Sequence, residues 1–290
     1  MKHILKFQEM MPSNFELILG GDQHIGNSAV DLVELKKINR HIKKKKHCYF
    51  SSGGDQAEAI SVTDKRFNLS VHAGREGRFA RLNAQRDFFV ELYEEIGDKF
   101  LYILGGNHEL CFKNIFDITE DIAKMLDCIH VPGTLAKVFF PGFRLLDWHG
   151  YGSVTSYARD QATRENNEAF SVMKKLVRLP GADCDVSIMH HIHKMRIKAP
   201  NRALNIPSDK NGKLVQCYTE PTRIWIDKKK GIYRLPEEDR WFASSGSLLR
   251  GYIENESTYV EERGYEPSEL GFIKIVVKKD RPVLVEKLKI

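Results

Sequence analysis

Five times along this chain a short, mainly apolar run stops at a residue capable of chemistry, in most cases through glycine. Phe15-Glu16-Leu17-Ile18-Leu19 leads into Gly20-Gly21-Asp22-Gln23-His24, Cys48-Tyr49-Phe50 into Gly53-Gly54-Asp55, and Phe100–Leu104 into Gly105-Gly106-Asn107-His108-Glu109. Phe143–Trp148 leads into His149-Gly150, and Val186–Met189 into His190-His191-Ile192-His193. Runs of this length and composition are those of buried strands. Between them, apolar residues at helical spacing predict helices over about 29–46, 78–96, 115–126 and 163–179. Alternating strand and helix implies βαβ units, whose ligands gather beyond the carboxyl ends of the strands, so the residues that close the five runs are expected to converge. At the C-terminus the runs Gly271–Lys278 and 283–290, joined by Lys279-Asp280-Arg281-Pro282, predict a closing β-hairpin. The stretch 194–240 holds Pro200, Pro207, Pro221 and Pro236 and the run Lys228-Lys229-Lys230, and reads as an irregular, partly stranded insertion.

Composition adds limits. The chain of 290 residues has an ordinary globular balance, 42% hydrophobic and 29% charged, which excludes a disordered, collagen-like or membrane-spanning protein. Cys48, Cys111, Cys128, Cys184 and Cys217 are widely spaced and form no CxxC pair, so neither a disulfide framework nor a zinc knuckle is indicated, and a cytoplasmic location is expected. The N-terminal apolar runs are too short for a signal sequence or a spanning helix, and no membrane partner is expected. Forty-five Lys and Arg against 39 Asp and Glu give a net charge of +6, a mild bias toward anionic partners.

The strand ends supply two aspartates, an asparagine and several histidines, the mixed oxygen and nitrogen set of a transition-metal site. One ion would leave ligands over. A pair about 3.5–4 Å apart would use them, since it needs a carboxylate shared by both ions and separate ligands on each flank. Such a site attracts hydroxide and phosphate, and phosphate-ester hydrolysis follows as the natural reaction.

Asp22-Gln23-His24, Gly54-Asp55, Gly106-Asn107-His108-Glu109, His149 and His191-Ile192-His193, in that order, resemble the motif series of the calcineurin-like metallophosphoesterases: D-x-H, G-D, G-N-H-E/D, a lone His, and G-H-x-H. The resemblance spans about 15–247. It implies a four-layer α/β/β/α sandwich, here a single domain over 1–290, with Asp22, His24 and His193 on a first metal, Asn107, His149 and His191 on a second, and Asp55 bridging. It also implies that His108 gives a proton to the leaving oxygen, held by an acidic partner, for which Glu109 is the candidate. Mn2+ is the expected ion, with Zn2+, Fe and Ni2+ as alternatives, and the expected reaction is attack by a metal-bridging hydroxide. A hydrogen-bonded structural histidine is the other reading of His149, with His130 as a competing ligand.

Two departures from the family pattern matter. His190 stands where the family has glycine; it either reaches a phosphate or faces solvent. The protein phosphatases of the family carry G-D-x-V-D-R-G, whereas this chain reads Gly54-Asp55-Gln56-Ala57-Glu58-Ala59, so their phosphate-clamping arginine has no counterpart and protein phosphatase activity is demoted.

Arg66, Arg75 and Arg78, with Lys65, Arg81 and Arg86 and the aromatics Phe67 and Phe79, would suit a polynucleotide track; a solvated amphipathic helix is the other reading. Lys194, Arg196, Lys198 and Arg202 add positive charge just past His193. The expected function is therefore that of a dinuclear phosphoesterase acting on a phosphodiester in DNA or RNA, akin to the nuclease branch of the family, the Mre11 and SbcD type. The alternatives are a phosphatase or phosphodiesterase for a nucleotide or other small molecule, and a scaffold that keeps the fold without catalysis. Gly246-Ser247, after the run Trp241–Ser244, reads as a tight turn or as a source of backbone N–H groups near the site.

Overall fold

A computed structural model describes residues 3–60, 81–112, 116–201, 204–218, 222–254, 258–262, 264 and 266–289. In chain order the first half holds β1 (Ile4–Lys6), β2 (Phe15–Gly20), α1 (Leu32–Lys44), β3 (Cys48–Ser52), α2 (Leu82–Tyr93), β4 (Phe100–Leu104), α3 (Asn107–Leu110), α4 (Ile118–Met125) and β5 (Ile129–Val131). There follow β6 (Leu135–Phe140), β7 (Phe143–Trp148), α5 (Gln161–Leu176), β8 (Val186–Met189), β9 (Arg196–Lys198), β10 (Leu204–Asn205), β11 (Cys217–Tyr218), β12 (Ile224–Asp227), β13 (Ile232–Arg234), β14 (Trp241–Ser244), α6 (Tyr259–Glu262), β15 (Gly271–Lys278) and β16 (Arg281–Lys289).

The long helices start where an aspartate can cap them. Asp31, Asp117 and Asp160 each accept a hydrogen bond from the backbone N–H three residues on, which satisfies an otherwise orphaned donor and places α1, α4 and α5 a few residues inside the predicted bounds or close to them. Residues 78–80 of the predicted second helix lie outside the described residues, and its described part is α2 followed by a tighter turn over Glu94–Lys99.

The strands form two six-stranded mixed sheets, one in the order β16-β15-β2-β3-β4-β5 and the other β1-β6-β7-β8-β14-β9. In the first, β2, β3, β4 and β5 are parallel, and the C-terminal hairpin joins antiparallel to β2 with Ile275 opposite Leu17. The hairpin turn is Lys279-Asp280 alone, both residues at positive φ, and Pro282 lies in β16, the edge strand, where a missing N–H is tolerated. The β6–β7 hairpin was not legible as a strand pair, because Lys137 interrupts β6 and only alternate residues of that strand are buried.

Three apolar layers order these elements. Leu17, Leu19, Tyr102, Leu104, Ile273 and Ile275 of the first sheet pack against Val138, Phe140, Leu145, Val186, Ile188 and Ala243 of the second. On the outer side of the first sheet, Ile18, Phe50 and Ile103 meet Leu35 and Ile38 of α1, Phe89 and Tyr93 of α2 and Ile122 of α4. On the outer side of the second sheet, Trp148, Met189 and Phe242 meet Val172 and Leu176 of α5. The result is the α/β/β/α sandwich that the resemblance implies. Strands covered on both faces need apolar residues at consecutive positions, which is why β2, β4 and β8 read as mainly apolar runs.

Only part of 194–240 is an excursion. β9 belongs to the second sheet, pairing with β14, and beyond it the chain forms two separate hairpins, β10–β11 and β12–β13. Lys194 and Arg196 are not free to meet a substrate: Arg196 is buried and its guanidinium pairs with Glu168 at 2.6 Å and with Glu269, while Lys194 Nζ lies 2.8 Å from both Glu168 and Glu266. Lys198 stacks its ammonium over Phe170. Arg202 lies outside the described residues. These ion pairs fasten α5 and the segment before β15 to the strand that follows His193. Removing one partner of a buried pair leaves its mate uncompensated, so Arg196→Met is expected to lower stability by about 3 kcal/mol in chemical denaturation. Lys198→Met, at a half-buried position without a carboxylate partner among the described residues, is expected to cost less than about 1 kcal/mol.

Candidate metal centre

The carboxyl ends of β2, β3, β4, β7 and β8 open on one side of the sandwich, and the loops leaving them carry the predicted ligands. Asp22, Asp55, His149 and His191 bring ligand atoms within 4.8 Å of one another, and Asp22, His24 and His193 form a second such group. Asn107 completes the first group, its Oδ1 lying 3.0 Å from His149 Nε2. The residue common to both groups is Asp22, whereas Asp55 lies within the first alone. His130 groups instead with Asp117 and Glu120.

Local backbone explains the convergence. Asp22, His24, Asp55, His191 and His193 all have positive φ, a conformation that costs an L-residue roughly 1–2 kcal/mol and turns the chain sharply as it leaves each strand. Cross-loop bonds hold these turns: Asp22 N–H donates to the Gly54 carbonyl, Gln23 and His24 N–H to that of Asp55, and His191 N–H to Asp22 Oδ2 at 2.6 Å. Gly106 must be glycine, since a Cβ there would sit 2.0 Å from Asp55 Oδ1.

The residues present fit divalent cations. Asp22 Oδ1 is fully buried without a hydrogen-bond partner, and His193 Nε2 lies 3.5 Å away. His149 Nδ1 donates to the Gly53 carbonyl at 2.9 Å, which turns its Nε2 toward Asn107 Oδ1 and toward Asp55 Oδ2, 3.4 Å away. His24 Nδ1 lies 3.0 Å from Glu58 Oε2, and its Nε2 faces His193 Nε2 at 3.3 Å. Acceptor atoms crowded in this way, with His24 and His149 each backed on the far nitrogen by an oxygen, are the setting of a bound metal.

His108 projects over the same centre. Its N–H donates to Asp55 Oδ1 at 3.0 Å, its Nε2 is 4.0 Å from Asp55 Oδ2, and its Nδ1 is held by the Glu58 backbone carbonyl. Burial opposes its charge, but Asp55 and Glu58 raise its pKa above the ordinary imidazole value. Glu109, expected to orient His108, does other work. Its buried carboxylate accepts from the N–H groups of Gly106 at 2.9 Å, Ala57 at 3.0 Å and Asp55 at 3.2 Å, clamping the Asn107 loop to the Asp55 loop. Burial and the nearby Asp55 push Glu109 up to about 7. The acid beside His108 is Glu58, three residues after Asp55; its place matches the second aspartate of G-D-x-V-D-R-G, the signal by which the sequence could have revealed it. Ala59, at the position of the missing arginine, is buried.

His190 corrects the expectation that it meets phosphate or solvent. It is fully buried, bonded to Asp147 at 2.9 Å and Ser245 at 2.7 Å. Ser247 is no exposed turn either: its hydroxyl donates to the Asp22 carbonyl at 2.6 Å, tying the Gly246-Ser247 segment to the centre. Arg66, Arg75 and Arg78 lie outside the described residues.

No protein-family model and no curated protein matches the sequence. Among solved structures the chain is similar to Vps29 of Chaetomium thermophilum, at 13% identity over 94% of this chain and 97% of that one, with a TM-score of 0.39. It is also similar to the NAD nucleotidase NadN of Haemophilus influenzae, at 10% identity over 95% and 49% of the two chains and a TM-score of 0.37. A third is the calcineurin-like phosphoesterase YfkN of Bacillus subtilis, at 12% identity over 71% and 46% and a TM-score of 0.24. The chain spans about half the length of the last two. In layer order and in the order of its five motifs it resembles the calcineurin-like metallophosphoesterases. Among the described residues no helix is long and apolar enough to cross a membrane.

The metal-free cluster titrates in a defined direction. Burial disfavours charge on Asp22 and His149, but the opposite charges around them win: His193 and His149 hold Asp22 at about 2, and Asp55 lifts His149 to about 10. The Asp22 contribution to stability is present above its ordinary 3.8 and is lost as pH falls through 2. The His149 contribution is complete below 6.5 and lost as pH rises through 10. The melting temperature of metal-free protein is therefore expected to fall between pH 6.5 and 10. Over the same interval divalent-cation affinity is expected to rise, with proton release visible by calorimetry in buffers of different ionisation enthalpy.

Proposed function

We propose that this protein is a dinuclear metal-dependent phosphoesterase. The observation that carries the reading is the pair of ligand groups at the strand ends, joined through Asp22 and flanked by His108. The first group with Asn107 would hold one cation, and Asp22, His24 and His193 the other, with Asp55 offering Oδ2 toward the first and remaining the expected bridge. Mn2+ is the proposed ion. Bound cations would supply Lewis acidity toward a phosphoryl oxygen and would acidify water to a pKa of about 7. His108, fixed at Nδ1 by the Glu58 carbonyl, presents Nε2 to the centre and is placed to give a proton to the leaving oxygen. Glu109 keeps the loops of Asp55 and Asn107 in register, which makes it a positioning residue.

For substrate we favour a phosphodiester in nucleic acid, supported by the basic and aromatic composition of 65–81 and by Ala59 standing where the phosphate-clamping arginine would be; Arg86 is paired with Asp87 and Asp121. The inward-turned Lys194 and Arg196 lend that choice nothing. We place the protein in the cytoplasm, on its unpaired cysteines.

With Mn2+ present, bis-(p-nitrophenyl) phosphate and a single-stranded oligonucleotide are expected to be hydrolysed in preference to p-nitrophenyl phosphate. No oligonucleotide cleavage with any divalent ion would remove the nucleic-acid assignment, and preference for the monoester would favour a small-molecule phosphatase. Fewer than one ion per chain under metal-replete conditions would favour a non-catalytic scaffold. His108→Gln is expected to slow turnover about 10²–10⁴-fold with metal content retained, while Asp55→Asn abolishes turnover and lowers metal content, as read by steady-state rates and elemental analysis.

A further inference from the structure

His190 replaces the glycine of the family pattern with an imidazole that solvent never reaches, and three separate features of the chain accommodate it. Asp147 is a carboxylate that accepts from Tyr102 Oη at 2.7 Å on one oxygen and from His190 Nε2 at 2.9 Å on the other. Nδ1 lies 2.7 Å from Ser245 Oγ, so both ring nitrogens are satisfied by buried partners. The backbone N–H of His190 is shared between the carbonyls of Trp148 at 3.1 Å and His149 at 3.0 Å. Finally, the ring occupies the space where two side chains are missing: a Cβ on Gly53 would fall 2.0 Å from Nε2, and one on Gly21 2.6 Å from Nδ1.

Those two glycines lie in the segments that carry the ligands. Gly21 immediately precedes Asp22, Gly53 is two residues before Asp55, and the Gly53 carbonyl fixes the tautomer of His149. His191 follows His190 directly. An apolar side chain would fill such a space without desolvating two nitrogens, so a ring with dedicated partners on both serves for more than volume. We infer that the His190 imidazole is a positioning residue, a wedge held by Asp147 and Ser245 that sets the spacing of the segments bearing Asp22, Asp55, His149 and His191. The inference rests on the metal-centre reading and adds to it a determinant peculiar to this chain, fitted to Gly21 and Gly53.

The test compares wild type with His190→Gly, Gly53→Ala and the double variant, each prepared metal-free and titrated with Co2+ by calorimetry and visible absorption, with melting temperatures measured alongside. His190→Gly is expected to bind Co2+ about 10–100-fold more weakly, with shifted ligand-field bands that report altered coordination rather than lost fold. Gly53→Ala, whose methyl collides with the ring, is expected to do the same. In the double variant the methyl enters the space the ring has left, and Gly53 has no positive φ to make alanine strained, so affinity and spectrum recover relative to Gly53→Ala alone. If His190→Gly does not fold, His190→Ala, which also vacates the space of the ring, takes its place in the same comparison. A folded His190 variant with wild-type affinity and spectrum overturns the inference, as does a double variant no better than Gly53→Ala. Wild type that binds no Co2+ overturns the phosphoesterase reading itself and this inference with it.

Discussion

The structure turns on one buried carboxylate. Asp22 leaves the first sheet at the end of β2, accepts from the His191 N–H on the second, and is gripped through its own carbonyl by Ser247 and Leu248. One of its oxygens faces His193 with no hydrogen-bond donor at bonding distance. A carboxylate buried in this way is costly unless opposite charge is close by, and the surrounding histidines, or a cation between them, provide it. The apolar layer between the sheets makes this possible by bringing the carboxyl ends of β2, β3 and β4 level with those of β7 and β8.

The chain bears local strain at the same place. Of the nine described non-glycine residues at positive φ, five are predicted ligands. Such conformations persist only where surrounding bonds over-determine them. Here Glu109 supplies three of those bonds, and the His190 wedge supports the loops from the opposite side. The centre is thus held by two layers of contacts, one of which the cations themselves would complete.

Much of this was legible in the residues alone. Strands covered on both faces are rich in apolar residues at consecutive positions, so β2, β4, β7 and β8 announced themselves, and the residues that end them converge. What escaped notice was set by tertiary context. β6 is buried on alternate positions and interrupted by Lys137, so its pairing with β7 depends on a neighbour rather than on its own pattern. Lys194 and Arg196 look like substrate contacts until Glu168 and Glu269, distant in sequence, arrive beside them. Glu109 adjoins His108 in sequence, but a helical turn directs it to backbone N–H groups, and the acid beside His108 is Glu58. His190 looked like an exposed intruder because nothing local shows that Gly21 and Gly53 leave it room.

In the proposed function, two cations share this centre. Electron paramagnetic resonance of the protein reconstituted with Mn2+ tests it most directly, because ions about 3.5–4 Å apart that share a carboxylate are exchange-coupled. Two Mn2+ per chain are expected, with a spin-coupled spectrum in place of the six-line signal of an isolated ion. A six-line signal at saturation, or the absence of specific Mn2+ binding, would contradict the proposal.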